Sequence, residues 1–497
     1  MSRSMKKAAA LTLLLAQPAL AQAPNQAPAV APAAAQPLDL STVVSAALDH
    51  GPKVARADFR LAQAQGRAQQ AAGAFDWRAS ARGGWARLYY PKVQTVGGAR
   101  VLTDDLQSSW DPEITAGASK LFRNGIQIQP GITFYPGSAA SSAQTIGLTR
   151  PRPNLNLQIP LLHGFDGTNE ASANERASLE EVDASKLERG AAQQQSTMES
   201  AETYWRCLAA GEEEDDLEDN LLDEQTYIDT QRKLMAAGQI SPLALEKALA
   251  AQDAKVRRLD TVRSAGAQCR ATLAALLGRD SNMKLPTLAA AFAQMDGLSS
   301  DAAALRETSL VDTAYRNRPD LHALEQYVTA AGEKLAAARA SQDPRLNLVI
   351  DPNGFFVTFT YSLEGNAEQG ATTAASAQAG EARLNLSQMK DQIRQDVSQG
   401  VAALRSSLAA LADRRRAEET LTKVAADAQS AVDSGGMDLA TLRGLQDQRT
   451  DARIALIEAR LECALNLAAL RLVTGTLVVE GGDAGPRNAV LLKSLRF

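Results

Sequence analysis

Three histidines, three cysteines and one acidic run are the groups in this chain with chemistry to offer. His50, His163 and His322 fall in different segments, with no carboxylate or cysteine cluster beside them. Neither a metal site nor an acid–base centre is expected of them. Glu212-Glu213-Glu214-Asp215-Asp216 has the charge to attract a cation. Calcium loops, however, need Gly, Asp and Asn at turn-forming spacing, and an unbroken acidic run in a helical stretch reads as a solvated face. The cysteines differ. Cys207 precedes position 239 by 32 residues and Cys269 follows it by 30 (239 − 207 and 269 − 239). On an antiparallel helical hairpin turning at 239 they stand within about 3 Å of the same height. In an oxidising compartment a Cys207–Cys269 disulfide is expected, bracing the hairpin and leaving Cys463 free; the alternative is two buried thiols. No enzymatic site, cofactor site or metal site emerges from these residues.

The element that positions the cysteines is a hairpin of great length. Ala171–Ala237 is polar and Ala-rich, with Gly190 and Gly211 its only glycines and no proline. Gly238-Gln239-Ile240 breaks the pattern and Ser241-Pro242 restarts it, an N-cap followed by proline at the first helical position. Leu243–Leu277 returns to Gly278. At 1.5 Å per residue the arms are about 100 Å and about 50 Å long. A helix that long must lie against partners along its length.

The chain has 497 residues, 4% aromatics, and a net charge of −5. Large compact cores are not expected, and no nucleic-acid partner is suggested. Arg3, Lys6 and Lys7, the apolar Ala8–Ala16 and the small-x-small Ala19-Leu20-Ala21 form an export signal over 1–21, cleaved after Ala21. Its apolar run is far below the ~20 residues a membrane-spanning helix needs. No cysteine follows the cleavage site, which excludes lipid attachment there. Residues 22–37 read as a disordered Ala/Pro/Gln linker. No other stretch looks like a transmembrane helix, so the exported chain enters a membrane only as strands.

The rest of the chain is a tandem duplication. Val43-Val44, Ala47, Pro52, Val54 and Ala64 match Leu310-Val311, Ala314, Pro319, Leu321 and Ala331, at an offset of 267 (319 − 52). Gly238, Leu245, Leu259 and Gly278 match Gly435, Leu442, Leu456 and Gly475, at an offset of 197 (475 − 278). The first copy, 38–278, therefore carries 70 extra residues (267 − 197) in its middle. Its helices are placed at 38–76 and 171–277 and its β segments within 77–163. A linker at 279–304 leads to the second copy, 305–475, with β segments within 345–363, and a tail at 476–497. Each middle switches to strand. Leu346, Leu348 and Ile350 alternate with Asn347 and Val349, and the Asp351–Gly354 turn follows. Phe355, Val357, Phe359, Tyr361 and Leu363 then alternate with Phe356, Thr358, Thr360 and Ser362. In the first copy Asn154, Asn156 and Gln158 alternate with Leu155, Leu157 and Ile159. Ile126–Tyr135 alternates too, after a hairpin signal at Asn124-Gly125. Trp77–Tyr90 is a looser strand. Such alternation fits either a transmembrane barrel or a small soluble sheet with one wet face. About two strands per copy cannot close a barrel alone, because small barrels need about eight, so oligomerisation is expected. The long arms, Ala171–Ala237 and Thr372–Ser434, find their second partners in Val54–Phe75 and Leu321–Gln342.

These residues, in this order twice over, resemble the TolC-type outer membrane efflux proteins. The duplicated Ala-x-x-x-(Gly/Arg)-Pro openings resemble the family's, and so does Pro160-Leu161-Leu162-His163-Gly164 after a strand. The tip Ala237-Gly238-x-Ile240-Ser241-x-Leu243 and the closing Leu273–Gly278 complete the likeness, which covers Leu38 to about Gly475. The resemblance implies a mostly α fold with a transmembrane β part: long helical hairpins forming an α-barrel, plus β-barrel strands, built as a homotrimer. It implies a passive conduit in the outer membrane, extending into the periplasm and passing substrate of a tripartite efflux or type I secretion system. Its partners would be a periplasmic adaptor and, through it or directly, an inner-membrane transporter. Adaptor contact is expected at Gly238, Gln239, Ile240, Ser241 and Leu243, and at Gly435, Gly436, Met437 and Leu439. Family members carry four strands per protomer, but here Ile114–Phe122 and Ile126–Tyr135 form an extra hairpin, either an external loop or added wall. The family's gating aspartates fall on Thr441 and Gly444 and do not carry over. Asp433, Asp438 and Arg443 lie nearby as a candidate constriction, with helix capping the competing role for the two aspartates. The alternative to the channel is an exported periplasmic coiled-coil adaptor or tether with a small soluble sheet.

Overall fold

The computed structural model describes residues 40–135, 151–162, 169–277 and 305–477. The export signal with Ala21, the 22–37 and 279–304 linkers, the tail beyond Leu477, and His163, Gly164 and Gly278 lie outside the described residues.

Helix α1 (Leu40–His50) buries Val43, Val44 and Ala47, the apolar set its spacing places on one face. Gly51 ends it and Pro52 opens α2 (Pro52–Ala72), where the missing N–H is no loss in a first turn. Four strands follow: β1 (Arg78–Val96), β2 (Ala99–Leu121), β3 (Gln127–Phe134) and β4 (Arg152–Pro160). The long hairpin is α3 (Glu170–Ala236) and α4 (Pro242–Leu277). The second copy runs α5 (Glu307–Asn317), α6 (Pro319–Ala340), β5 (Arg345–Asp351), β6 (Gly354–Thr360), α7 (Asn366–Asp433) and α8 (Leu439–Val473).

The strands form one antiparallel meander in the order β1-β2-β3-β4-β5-β6. The expected two strands per copy therefore hold only for the second copy; the first has four. The duplication shows where the extra pair comes from. β5 starts 267 residues after β1 (345 − 78), so β5 repeats the lower part of β1, and the inserted residues supply the rest of β1 with β2 and β3. The added hairpin is paired into the sheet and is not a loop. β1 and β2 also continue past the other strands as a two-stranded ribbon, turning at Gly97-Gly98, both with positive φ (62° and 85°), as a tight hairpin requires.

The insertion is fastened to the helices at one point. The β2–β3 turn presents the Arg123 carbonyl to Asn169 Nδ2 (2.9 Å) and Ser172 Oγ (2.8 Å) at the start of α3. The Arg123 guanidinium forms a two-pronged pair with Glu175, at 2.7 and 2.6 Å, and lies 4.9 Å from the Phe75 ring centre.

Paired residues share a face, so the register sorts the side chains. Lys120, Ile128, Leu157, Ile350 and Phe355 form one row, and the flanking rows on that face hold Ile132, Leu155, Leu348 and Val357. The opposite face is mostly polar: Ser80, Thr115, Gln129, Asn156 and Thr358 lie on it, with Val349 and Phe356 as apolar exceptions. The row at Lys120 begins beside Arg78, at the helical end of β1, and reaches β6 five residues short of its helical end (360 − 355). With about 3.3 Å per residue and about 4.8 Å between strands, that stagger is a strand tilt of about 35–40°.

Helix packing follows the unequal arms. The upper half of α3 lies against α2 and α6, and the lower half against α4 and α8; α7 lies against α6 above and α8 below. The helices thus form an arc with α7 on one flank and α2 and α4 on the other. The main core is a belt at mid-height where the copies meet, with Tyr204, Trp205 and Leu208 of α3 packed among Ile393, Val397 and Leu404 of α7 and Leu467 of α8.

Candidate functional site: hairpin tips, interhelix ion cluster and sheet faces

Both hairpins turn with the same geometry. Gly238 (φ 73°) and Gly435 (φ 77°) take the left-handed conformation that glycine tolerates. The Gly238 N–H donates to Met235 O (2.9 Å) and the Gln239 N–H to Leu234 O (2.9 Å); Gly435 and Gly436 donate to Val432 O (2.9 Å) and Ala431 O (2.8 Å). These paired closures satisfy the last carbonyls of each outgoing arm. Gln239, Ser241, Leu243 and Gly436 are exposed, and Ile240, Met437 and Leu439 half-buried. Turn chemistry accounts for the glycines. It gives no reason for Leu243, Ile240 or Met437 to stand at an end of the molecule.

Asp433, Asp438 and Arg443 are each engaged separately within the chain. Asp438 caps α8, accepting from the Thr441 hydroxyl at Oδ2 and the Thr441 N–H at Oδ1, both at 2.7 Å, which together hold its carboxyl below the usual range. Asp433 accepts from Gln429 Nε2 (3.0 Å) on its own helix. Arg443 is only 5% exposed, so it lines no open space within the chain. Its Nε donates to Glu224 Oε2 (2.8 Å), and its Nη2 to Asn220 O and Oδ1 (both 2.9 Å) and to Asp447 Oδ1 (2.9 Å). Lys255 joins Glu224 and Asp447 from α4. The cluster ties three helices together a few turns above the tips. Sequence reasoning missed Asn220, Glu224, Lys255 and Asp447. The available signal was that 220/224 and 443/447 are i,i+4 pairs, each on one helix face.

Cys207 and Cys269 are joined, with Cα atoms 5.5 Å apart, and Cys463 is a buried thiol that burial pushes up to about 11. The acidic run is not a solvated face. Asp216 is 6% exposed and pairs with Arg453 of α8 at 2.7 Å; Glu214 pairs with Arg263 of α4 at 3.1 Å. Burial holds the carboxyls of Glu213 and Asp216 above their usual range, Glu213 being raised further by Glu458. His322 bonds Arg316 O and Glu325 (both 3.0 Å), which raise its pKa; His50 is exposed. Among the described residues no cluster of His, Cys, Asp and Glu could hold a metal.

No protein-family model matches the sequence, and no curated protein is similar to it in sequence. Its structure is similar to solved membrane channels. The Campylobacter jejuni CmeC outer membrane channel matches with a TM-score of 0.62 at 14% identity, over 88% of this chain and 85% of that one. The outer membrane protein VceC of Vibrio cholerae matches with 0.61 at 16%, over 88% and 96%. The open state of the Neisseria gonorrhoeae MtrE outer membrane channel matches with 0.59 at 16%, over 88% of both chains. The fold is that of the TolC-type outer membrane channels. In this TolC-type fold the sheet and the tips occupy opposite ends of the helices, and the ion cluster lies near the tip end.

Proposed function

We propose that the chain is the outer membrane conduit of a tripartite efflux or type I secretion system. The observation that carries this reading is the bare apolar face of the sheet. Phe355 is 78% and Trp85 70% exposed, with Val357 and Phe359 alongside. A soluble sheet buries such a face, whereas a bilayer surrounds it favourably. That weighs against the soluble adaptor or tether. No helix among the described residues is long and apolar enough to cross a membrane, which leaves the crossing to the strands. Their tilt is the one closed barrels have.

Six strands are too few to close, and lipid tolerates no open edge, so other copies must complete the wall. Three copies give eighteen strands (3 × 6). The helical arc supports the same arrangement. Within one chain α3 packs on α6 and α8; the duplication lets α7 pack on α2 and α4 of the next copy in the same way, closing six hairpins around one tunnel. The exposed tips would dock a periplasmic adaptor linked to an inner-membrane transporter, which supplies the energy. The protein itself is passive and needs no cofactor.

The test is extraction and reconstitution. The full-length protein should require detergent, run as a heat-sensitive trimer and conduct ions in planar bilayers. Phe359→Arg should weaken membrane assembly by about 2–4 kcal/mol, while Thr358→Arg on the polar face should not. Recovery as a soluble monomer would sink the reading.

A further inference from the structure

The polar face of the sheet has a charge pattern that its alternation alone does not require. Four arginines lie on it: Arg78 and Arg82 on β1, Arg152 at the far end of β4 and Arg345 at the helical end of β5. All four are exposed, and none makes an ion pair among the described residues. Glu113, Asp351 and Asp111 put carboxylates on the same face, each with hydrogen-bond partners of its own. Glu113 accepts from Thr115 Oγ1 (3.1 Å). Asp351 accepts from the N–H groups of Asn353 (2.7 Å) and Gly354 (3.1 Å) in its own turn. Asp111, one step higher, is buried and bonded.

The register makes this pattern a place. Arg82, Thr115, Thr133 and Arg152 form one continuous cross-strand row, two cations flanking two hydroxyls. The next row toward the helices is Ser80, Gly117, Gly131 and Asn154, and Arg78 lies beyond it. The two glycines leave that row without side chains at its centre. A Cβ on Gly131 would fall 2.2 Å from Asn154 Oδ1, so a larger residue there would have to displace the Asn154 side chain. The polar face is concave here, with a hollow of about 540 Å³. The hollow is lined by Ser, Thr and amide side chains with Asp351 at one edge, and bordered along β1 by Arg78 and Arg82, about 7 Å away on either side of Ser80.

We infer that this hollow is a way-station for anionic solutes on the inner wall of the barrel, so that the mouth of the conduit prefers anions to cations. The inference rests on the channel reading, because only that reading makes the polar face a lumen. A ring of unpaired guanidinium groups in a confined aqueous passage raises the local concentration of anions and lowers that of cations. Hydroxyl and amide donors in the notch would hold a carboxylate or phosphate group while it exchanges water. Weak sites of this kind aid passage, since a tight one would stop it.

The experiment is the reversal potential of the reconstituted channel under a potassium chloride gradient. The wild type should pass chloride in preference to potassium. Substituting Arg78, Arg82, Arg152 and Arg345 together by Gln should move the permeability ratio toward potassium, while Lys120→Gln on the lipid face should leave it unchanged. A cation-preferring wild type, or a ratio unmoved by the four substitutions, overturns the inference and leaves the channel reading standing. Absence of any current from the wild type overturns both. Should the fourfold variant not assemble, the sign of the wild-type preference alone decides.

Discussion

Arg443 and Glu224, 219 residues apart in sequence and in different copies of the repeat, meet at 2.8 Å with both side chains buried. Removing one partner strands the other charge between helices. Arg443→Ala should therefore destabilise the fold by about 3–5 kcal/mol, and replacing both with apolar residues of similar volume should restore most of it. Thermal unfolding followed by helical signal measures this. A loss in the double variant as large as the two single losses combined would show that the pair does not act as a unit.

The Cys207–Cys269 bond closes a separation of 62 residues. Loop entropy puts its contribution at about 4 kcal/mol. Reductant, or Cys207→Ser with Cys269→Ser, should lower the unfolding temperature. Alkylation of the denatured, unreduced protein should label Cys463 alone. Three labelled cysteines would mean that the hairpin is held by packing only.

Glu213 carries a carboxyl whose pKa burial raises above the ordinary 4.5. A raised folded-state pKa gives stability that is full below the unfolded value and is lost as pH climbs through the folded one. Glu213→Gln should therefore unfold at a higher temperature than the wild type near pH 7.5. The gap should close as pH falls toward about 4.5. A gap independent of pH would point to packing instead of charge.

Phe59 on α2 and Leu384 on α7 stand on the two flanks of the arc, 75% and 56% exposed. They share a height. Asp58 of α2 pairs with Arg189 of α3, whose neighbour Glu188 accepts from the Tyr327 hydroxyl of α6 at 3.0 Å. Thr372 of α7 bonds Ala338 O of α6 at 3.0 Å. Eleven residues along each, in opposite chain directions, bring Tyr327 level with residue 383 (338 − 11 and 372 + 11). A Phe59→Cys, Leu384→Cys variant should cross-link between copies into a covalent trimer. Cross-links confined to single chains would reject the seam.

The helical half of this fold was legible because its signals are local. Gly238 with Ser241-Pro242, and Gly435 with Asp438, mark both turns. The apolar spacing of α1 and the repeat offsets do the rest. β2 was not legible. Asp104, Asp105, Ser108, Ser109 and Asp111 are poor strand formers, and their extended state follows from pairing with β1 across the Gly97-Gly98 turn, a non-local cause. The partners of Arg443 were hidden for the same reason: Asn220 and Glu224 lie on another copy of the repeat. The acidic run was misread because a charge count says nothing of the cations waiting opposite, Arg263 and Arg453.

The Arg123 turn gives the two copies different mechanics. α3 is a column tied at its head, where Asn169, Ser172 and Glu175 grip the inserted strands, and tied again part-way down by the cysteine bridge. α7 begins after Gly365, in the left-handed conformation with no side-chain cap, and among the described residues its first turns are tied through Thr372 to α6 and not to the strands. A push or twist at the Gly238 tip is therefore transmitted to the sheet as through a strut. The same force at the Gly435 tip reaches the strands through α6 and the Gly365 turn, with no side-chain bond of this kind. Force arriving at alternate tips around a closed ring would be felt at the mouth in threefold, not sixfold, fashion.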